Sequence, residues 1–246
     1  VEETSEASPT EQSPPPLSAS NELPPDLPGM ESSQVPITGV GEDLVDALPG
    51  ADSLIDGPTV KLNIGGKVTT EVFGIKGTGS RFVYVFDRSH SMEGFESRPL
   101  LAARQALLGS LDSLGKDQQF QIIFYNDKIK AFNPDGLAAM YFATDERKES
   151  ARDFVVSVRG DSGTDHLNAH KHAFRLGPDV IFLLTDAEGG FTRAELQEAS
   201  RLNRSAAIIN AIEFGDRRGS DRSLEKLAQE SGGQYVFKNI RTLRVE

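Results

Sequence analysis

Arg81-Phe82-Val83-Tyr84-Val85-Phe86-Asp87-Arg88-Ser89-His90-Ser91 decides how this chain is read. Three aromatic and two β-branched residues stand in a row between Arg81 and Asp87. A run that is apolar at every position suits a strand covered on both faces, at the centre of a parallel sheet. It then stops on an aspartate and two serines, so a buried strand delivers polar side chains at its carboxyl end. Phe120–Tyr125, Val180–Thr185, Ala206–Phe214 and Gln234–Phe237 read as further strands, and Ile129–Phe132 as a short antiparallel edge.

Helical signals fill the gaps. Ser97 and Pro99 open a helix that Gly115 follows, with Leu100, Leu107, Leu111 and Leu114 at helical spacing. Thr144-Asp145-Glu146 opens another to about Val158, with acids where the helix dipole favours them. Asp165–Leu176 and Asp221–Ser231 read as helices, and Thr192 with Glu195 as a capping box. Strands alternating with helices predict an α/β fold: a Rossmann-like open sheet, mostly parallel, with one short antiparallel edge strand and helices on both faces. Ahead of it, Val60, Leu62 and Ile64 alternate, Gly65-Gly66 follows, and Val68, Thr70 and Val72 alternate again. That pattern predicts an N-terminal β-hairpin extension over 58–80, turning at the glycine pair.

Charge divides the chain at the same place. Residues 1–57 hold 12 of the 37 carboxylates, nine of the 13 prolines, and no Lys, Arg, Phe or Tyr. They read as a disordered acidic linker, with Pro14-Pro15-Pro16 and Pro24-Pro25 favouring extended backbone. Residues 58–246 hold 26 basic and 25 acidic side chains. The net charge of −11 therefore belongs to the linker, and a basic nucleic-acid-binding domain is excluded. With no Cys there is no disulfide framework, zinc–thiolate site or cysteine nucleophile. No apolar run approaches the length of a membrane span. The chain starts at Val1 without a signal-peptide pattern and reads as a processed product, with any membrane anchor lying upstream. These features lean towards an extracytoplasmic domain, periplasmic or at the cell surface, on an acidic tether.

In open α/β sheets the ligand site lies beyond the carboxyl ends of the strands, where strand order switches. Asp87, Ser89 and Ser91 follow the first core strand, Asp186 follows Val180–Thr185, and Thr164 lies in the loop between. All five offer hard oxygen donors, which suit Mg²⁺ or Mn²⁺, Ca²⁺ less well, and a soft metal poorly.

These residues resemble the metal-ion-dependent adhesion site of the von Willebrand factor A-domain family. The family motif is Asp-x-Ser-x-Ser after the first core strand, then a Thr and an Asp from two later loops. This sequence matches at Asp87, Ser89, Ser91, Thr164 and Asp186. The resemblance spans 81–246, and the ending from Leu224 to Gly233 looks like bacterial members. Two positions depart from the usual pattern: His90 and Ala187 stand where many members have glycine. Neither position supplies a ligand in the family. The resemblance implies that Ser89 and Ser91 bind the metal by their hydroxyls and Thr164 directly or through water. Asp87 and Asp186 would often act through waters. The remaining open position would accept a carboxylate from a partner protein.

Other features read more plainly. His166 and His170 are four apart, a spacing that can present two imidazoles to zinc. No glutamate stands between them in zinc-protease order and no third ligand is evident, so they read, with His172, as histidines in solvent or behind the metal ligands. Ser89 or Ser91 beside His90 lacks a nucleophile-elbow context. Gly74-to-Gly79 precedes a strand and so fails as a phosphate loop. Phe191 is the candidate exposed contact near the site.

The expectation is therefore a non-enzymatic, divalent-cation-dependent protein-binding module that captures an Asp or Glu of a partner. It involves no nucleic acid, and a membrane only through an upstream anchor. The alternatives are a regulatory subunit of a bacterial ATPase or chelatase complex, and a metal-dependent hydrolase.

Overall fold

The computed structural model describes residues 65–161, 163–186 and 190–243. The acidic segment 1–57, and Val60–Ile64 of the expected hairpin, lie outside the described residues.

The expected N-terminal hairpin is present. Strand β1 (Val68–Val72) pairs antiparallel with β2 (Ile75–Gly79), Val72 opposite Ile75. Its turn is Phe73-Gly74; the expected turn at Gly65-Gly66 would join Val60–Ile64, which lie outside the described residues. Both residues have positive φ, 53° and 88°, as a tight hairpin turn that follows the strand twist requires. Glycine adopts that backbone freely; Phe73 does so under strain, and its ring packs edge-on against Phe214 at 5.2 Å. Gly77 and Gly79, which read from sequence as punctuation, lie inside β2. A Cβ at Gly77 would come within 2.7 Å of Val180 and 2.9 Å of the Phe182 ring, so glycine lets the hairpin lie close on the sheet.

The main sheet begins with β3 (Arg81–Asp87). A short 3₁₀ turn, His90–Glu93, leads to α1 (Arg98–Asp112) and β4 (Gln119–Tyr125). Strands β5 (Ile129–Ala131) and β6 (Tyr141–Phe142) both run antiparallel to β4, so β6 joins the expected edge strand β5. Helices α2 (Asp145–Ser157) and α3 (His166–Arg175) precede β7 (Val180–Thr185). Then come α4 (Arg193–Leu202), β8 (Ile208–Gly215), α5 (Ser223–Glu230) and β9 (Tyr235–Asn239). The strand order is β5-β4-β3-β7-β8-β9, and β3, β4, β7, β8 and β9 are mutually parallel.

The helix boundaries follow local chemistry. The Thr192–Glu195 capping box is formed in both directions, and Thr144 and Asp165 cap α2 and α3 with their side chains. Ser97 differs from expectation: it sits in the left-handed region at φ 61° and makes no side-chain cap. Two apolar cores flank the sheet. One packs α1, α2 and the hairpin against Phe82, Tyr84, Phe86 and Phe182. The other packs α3, α4 and α5 against Val83, Val85, Ile181 and Leu183. Alternate residues of one strand thus feed opposite cores, which is why β3 and β7 are apolar throughout. Each fully buried Phe or Leu contributes about 1.5–3 kcal/mol.

Candidate metal centre

After β3 the chain crosses by α1 to β4 on one side. It then returns to β7 on the other side of β3. The loops after β3 and β7 therefore part at the carboxyl edge of the sheet and leave a crevice. Asp87 ends β3 and Asp186 follows β7, so both expected carboxylates stand at this switch.

Asp87 is fully buried. One carboxylate oxygen accepts the Ser89 backbone N–H at 2.7 Å, and the other accepts the Thr185 hydroxyl at 2.6 Å. Phe86 pairs with Leu184, which brings Thr185 level with Asp87 across the two strands. Among the described residues Asp87 has no Lys, Arg or His ion-pair partner. Burying a carboxylate without a cation beside it is costly, and none of the described side chains supplies one. The Ser89 and Ser91 hydroxyls lie 3.0 Å apart beside it, Ser89 buried and Ser91 half-buried. Asp186 is half-buried and lines one groove together with Ser91.

Thr164 lies half-buried in the loop before α3. Backbone hydrogen bonds tie that loop to its neighbours: Asp161 N–H to Arg88 O at 2.9 Å, and Asp165 N–H to Asn126 O at 2.9 Å. Asn126 bonds the Arg88 guanidinium at 3.0 Å and the Asp161 carbonyl at 2.6 Å. Glu93 reaches across from the 3₁₀ turn to accept the Gly160 N–H at 2.7 Å. The loop carrying the serines and the loop carrying Thr164 are thus stitched together by groups that are not themselves in the motif, while the end of β7 is tied in through Thr185 and Asp87.

Sequence reasoning missed Glu93 and Asn126, and two further residues. Thr185 orients Asp87, and its only signal was its place just before Asp186. Tyr125, the last residue of an expected strand, is fully buried yet reaches the site. Burial holds its phenol well above the usual tyrosine range; Asp87 adds to this, a hydrogen bond with Thr185 opposes it, and Asp186 and Asp165 add further. Burial is the main cause of that shift, but Asp87, Asp186 and Asp165 all lie near enough to add to it, and three neighbouring carboxylates favour a cation.

The tyrosine hydroxyl lies 2.9 Å from His166 Nδ1. His166 and His170 are buried, so of the two expected placements, in solvent or behind the metal ligands, the first does not hold for them. His170 shares its Nδ1 with the His166 carbonyl at 2.8 Å, and burial lowers its pKa to about 4, so it is a neutral core histidine. Both rings pack on Phe191, at 5.0 and 5.1 Å. Phe191 is only 6% exposed, so the expected surface contact belongs to the core instead. The exposed aromatic near the site is Phe95, at 49%. His90 stands exposed at the rim, as expected.

Hydroxyl and carboxylate oxygens of this kind fit a hard divalent cation. Among the described residues no group of three His, Asp or Glu side chains is placed to hold a metal, so a cation bound here would have to use the serine hydroxyls as well. Among the same residues no helix is long and apolar enough to cross a membrane.

Comparison with known proteins agrees with this architecture. The chain is 28% identical over 167 residues to human inter-alpha-trypsin inhibitor heavy chain H4, an alignment covering 61% of this chain and 17% of that protein. It superposes on a von Willebrand factor type A structure from Catenulispora acidiphila with TM-score 0.57 and 20% identity, covering 68% of this chain and 41% of the other. It also superposes on proximal thread matrix protein 1 of the mussel byssus, solved with a zinc-occupied metal-ion-dependent adhesion site, with TM-score 0.50 and 19% identity over 66% and 42% of the two chains. The chain thus spans well under half of each of these relatives. Residues 80–237 match the family described as the von Willebrand factor type A domain, and with well over half of its length matched the chain belongs to that family.

Proposed function

We propose that the domain is a divalent-cation-dependent protein-binding module, with Ser89, Ser91 and Thr164 as the hydroxyl donors and Asp87 and Asp186 as the charge behind them. The carrying observation is Asp87: a fully buried carboxylate oriented by Ser89 and Thr185, with no basic partner among the described residues, under two adjacent hydroxyls. Mg²⁺ or Mn²⁺ bound there would supply positive charge that the hydroxyl donors leave under-neutralised, which favours an anionic oxygen from outside. The occupant is an Asp or Glu carboxylate of a partner protein. Zinc at the corresponding motif of the mussel protein supports a metal role for this one.

This chain's residues have separate tasks in that reading. Thr185 and the Ser89 N–H hold the Asp87 carboxylate, Glu93 and Asn126 hold the Thr164 loop against the serine loop, and Tyr125 with its histidine backing closes the floor to water. Binding of this kind requires no turnover.

Isothermal titration with Mg²⁺ and Mn²⁺ tests the assignment. Wild type should bind one equivalent, and the pair Ser89→Ala and Ser91→Ala should lose at least about tenfold in affinity. Equal binding by wild type and both variants contradicts it.

A further inference from the structure

A groove of about 360 Å³ opens beside the metal centre. Ser91 and Asp186 form one end, so it is continuous with the proposed site. Phe95, Pro99 and Ile240 contribute apolar wall, and Arg217 stands at the rim. The backbone presents Phe95 deliberately: Phe95, Glu96 and Ser97 follow one another in the left-handed region, at φ 53°, 61° and 61°. Three non-glycine residues in that region cost about 1–2 kcal/mol each, and such strain collects at functional sites. Its product is an aromatic ring half in solvent, where the same residue in the sheet would be core.

The rim charge is equally specific. Neighbouring cations are engaged: Arg218 and Arg222 with Glu225, and Arg241 with Asp216. Glu213 accepts from Tyr235 and Gly219, and Asp221 caps Ser223 N–H. Arg217 is exposed and has no hydrogen bond or ion pair among the described residues. A solvent-facing guanidinium with no described protein partner, beside an apolar wall, complements a bulky apolar side chain followed by a carboxylate.

Resting on the metal-dependent reading above, we infer that this groove selects the partner by the residues flanking its metal-bound acid: an extended peptide segment in which an aromatic or large aliphatic side chain adjoins the Asp or Glu, with a second carboxylate meeting Arg217. Phe95 and Ile240 bury the apolar neighbour, the metal takes the first acid, and Arg217 takes the second.

The test uses defined peptides and the full chain with Mn²⁺. One peptide carries Phe on both sides of a single Asp, a second carries Ala there, a third has Asn in place of the Asp, and a fourth adds a second Asp to the first. Fluorescence anisotropy should rank the Phe peptide about tenfold above the Ala peptide, the factor that burying one such side chain supplies. The Asn peptide should not bind. Phe95→Gly, which suits the positive φ, should erase the Phe preference. Arg217→Ala should remove the gain from the second Asp, about threefold and larger at low salt. Equal affinity of the Phe and Ala peptides, or a preference that survives Phe95→Gly, overturns the inference. So does binding of no peptide, or metal-dependent self-association in its place, which would assign the groove to a second copy. Mn²⁺ affinity measured on the same samples separates the two failures: metal bound without peptide selectivity defeats the groove and leaves the metal site, whereas no metal binding defeats the site itself.

Discussion

Two buried hydroxyl networks touch β3, one in mid-strand and one at its carboxyl end, and they differ in what they leave unpaired. In mid-strand the Tyr84 hydroxyl lies 2.8 Å from Ser110 Oγ, which lies 2.6 Å from Thr70 Oγ1, to which Ser113 donates at 2.6 Å. Every member is neutral, and the network ties the hairpin through α1 to the sheet. At the strand end Tyr125 meets His166, Thr185 holds Asp87, and Asp87 holds the serine loop. Burial raises both phenols, but at Tyr84 the neighbours Ser110 and Thr70 oppose the shift, whereas at Tyr125 Asp87 reinforces it. The first network is closed and structural; the second carries a net charge and ends at a crevice. A buried polar network serves stability when it is satisfied and neutral, and points to a ligand when one charge is left over.

That difference can be broken by mutation. The largest effect should come from Asp87→Asn, which removes the charge and keeps the shape. A hundredfold excess of Mg²⁺ over its dissociation constant should stabilise wild type by about 3 kcal/mol, raising Tm by roughly 5–10 °C. In Asp87→Asn the metal-induced shift should vanish, and in Tyr84→Phe it should persist. Differential scanning calorimetry with and without chelator reads both.

Next comes pH. His170 has a folded pKa lowered to about 4 by burial, below its unfolded value near 6.5. The unfolded chain therefore binds the proton first. The stability this group contributes is complete above pH 6.5 and is lost as pH falls towards 4, by about 3 kcal/mol in all. Urea unfolding of wild type and His170→Phe across pH 4–7 should show the variant with the flatter curve. Parallel curves contradict the assignment of a neutral buried imidazole.

A smaller effect belongs to Thr185→Val, which strips one Asp87 oxygen of its only described donor. It should cost about 1–3 kcal/mol without metal and weaken metal binding as well, so stability and affinity move together. Smallest is Tyr84→Phe. Ser110 keeps Thr70 as a partner, so the loss should be about 1 kcal/mol, with metal affinity unchanged. A change in metal affinity there would erase the distinction between the two networks.

The sequence carried much of this fold because strong local signals coincided with global ones. β7 has the expected bounds, the Thr192 capping box forms as written, and the four leucines expected at helical spacing, Leu100, Leu107, Leu111 and Leu114, are buried. What it hid were features that depend on backbone conformation or on distant partners. Phe73 offers no turn signal, because the hairpin needs positive φ from a residue that ordinarily avoids it. Phe95 carried no signal, and Phe191 departed from its expected exposure, for the same kind of reason. A strained loop turns the first outward, while two histidines from α3 cover the second. The strand ends that carry Asp87 and Asp186 were legible in the sequence. Thr185, Tyr125, Glu93 and Asn126, which hold them in place, were not, since each acts across a loop or strand that only folding brings near.

The most direct measurement is a crystal structure of the chain with Mn²⁺, with data collected at the manganese absorption edge. The account predicts an anomalous peak at the crevice, about 2.0–2.3 Å from both the Ser89 and Ser91 hydroxyl oxygens, with Asp87 behind them. A fully loaded crystal with no peak there, or with its manganese bound elsewhere, would contradict the account.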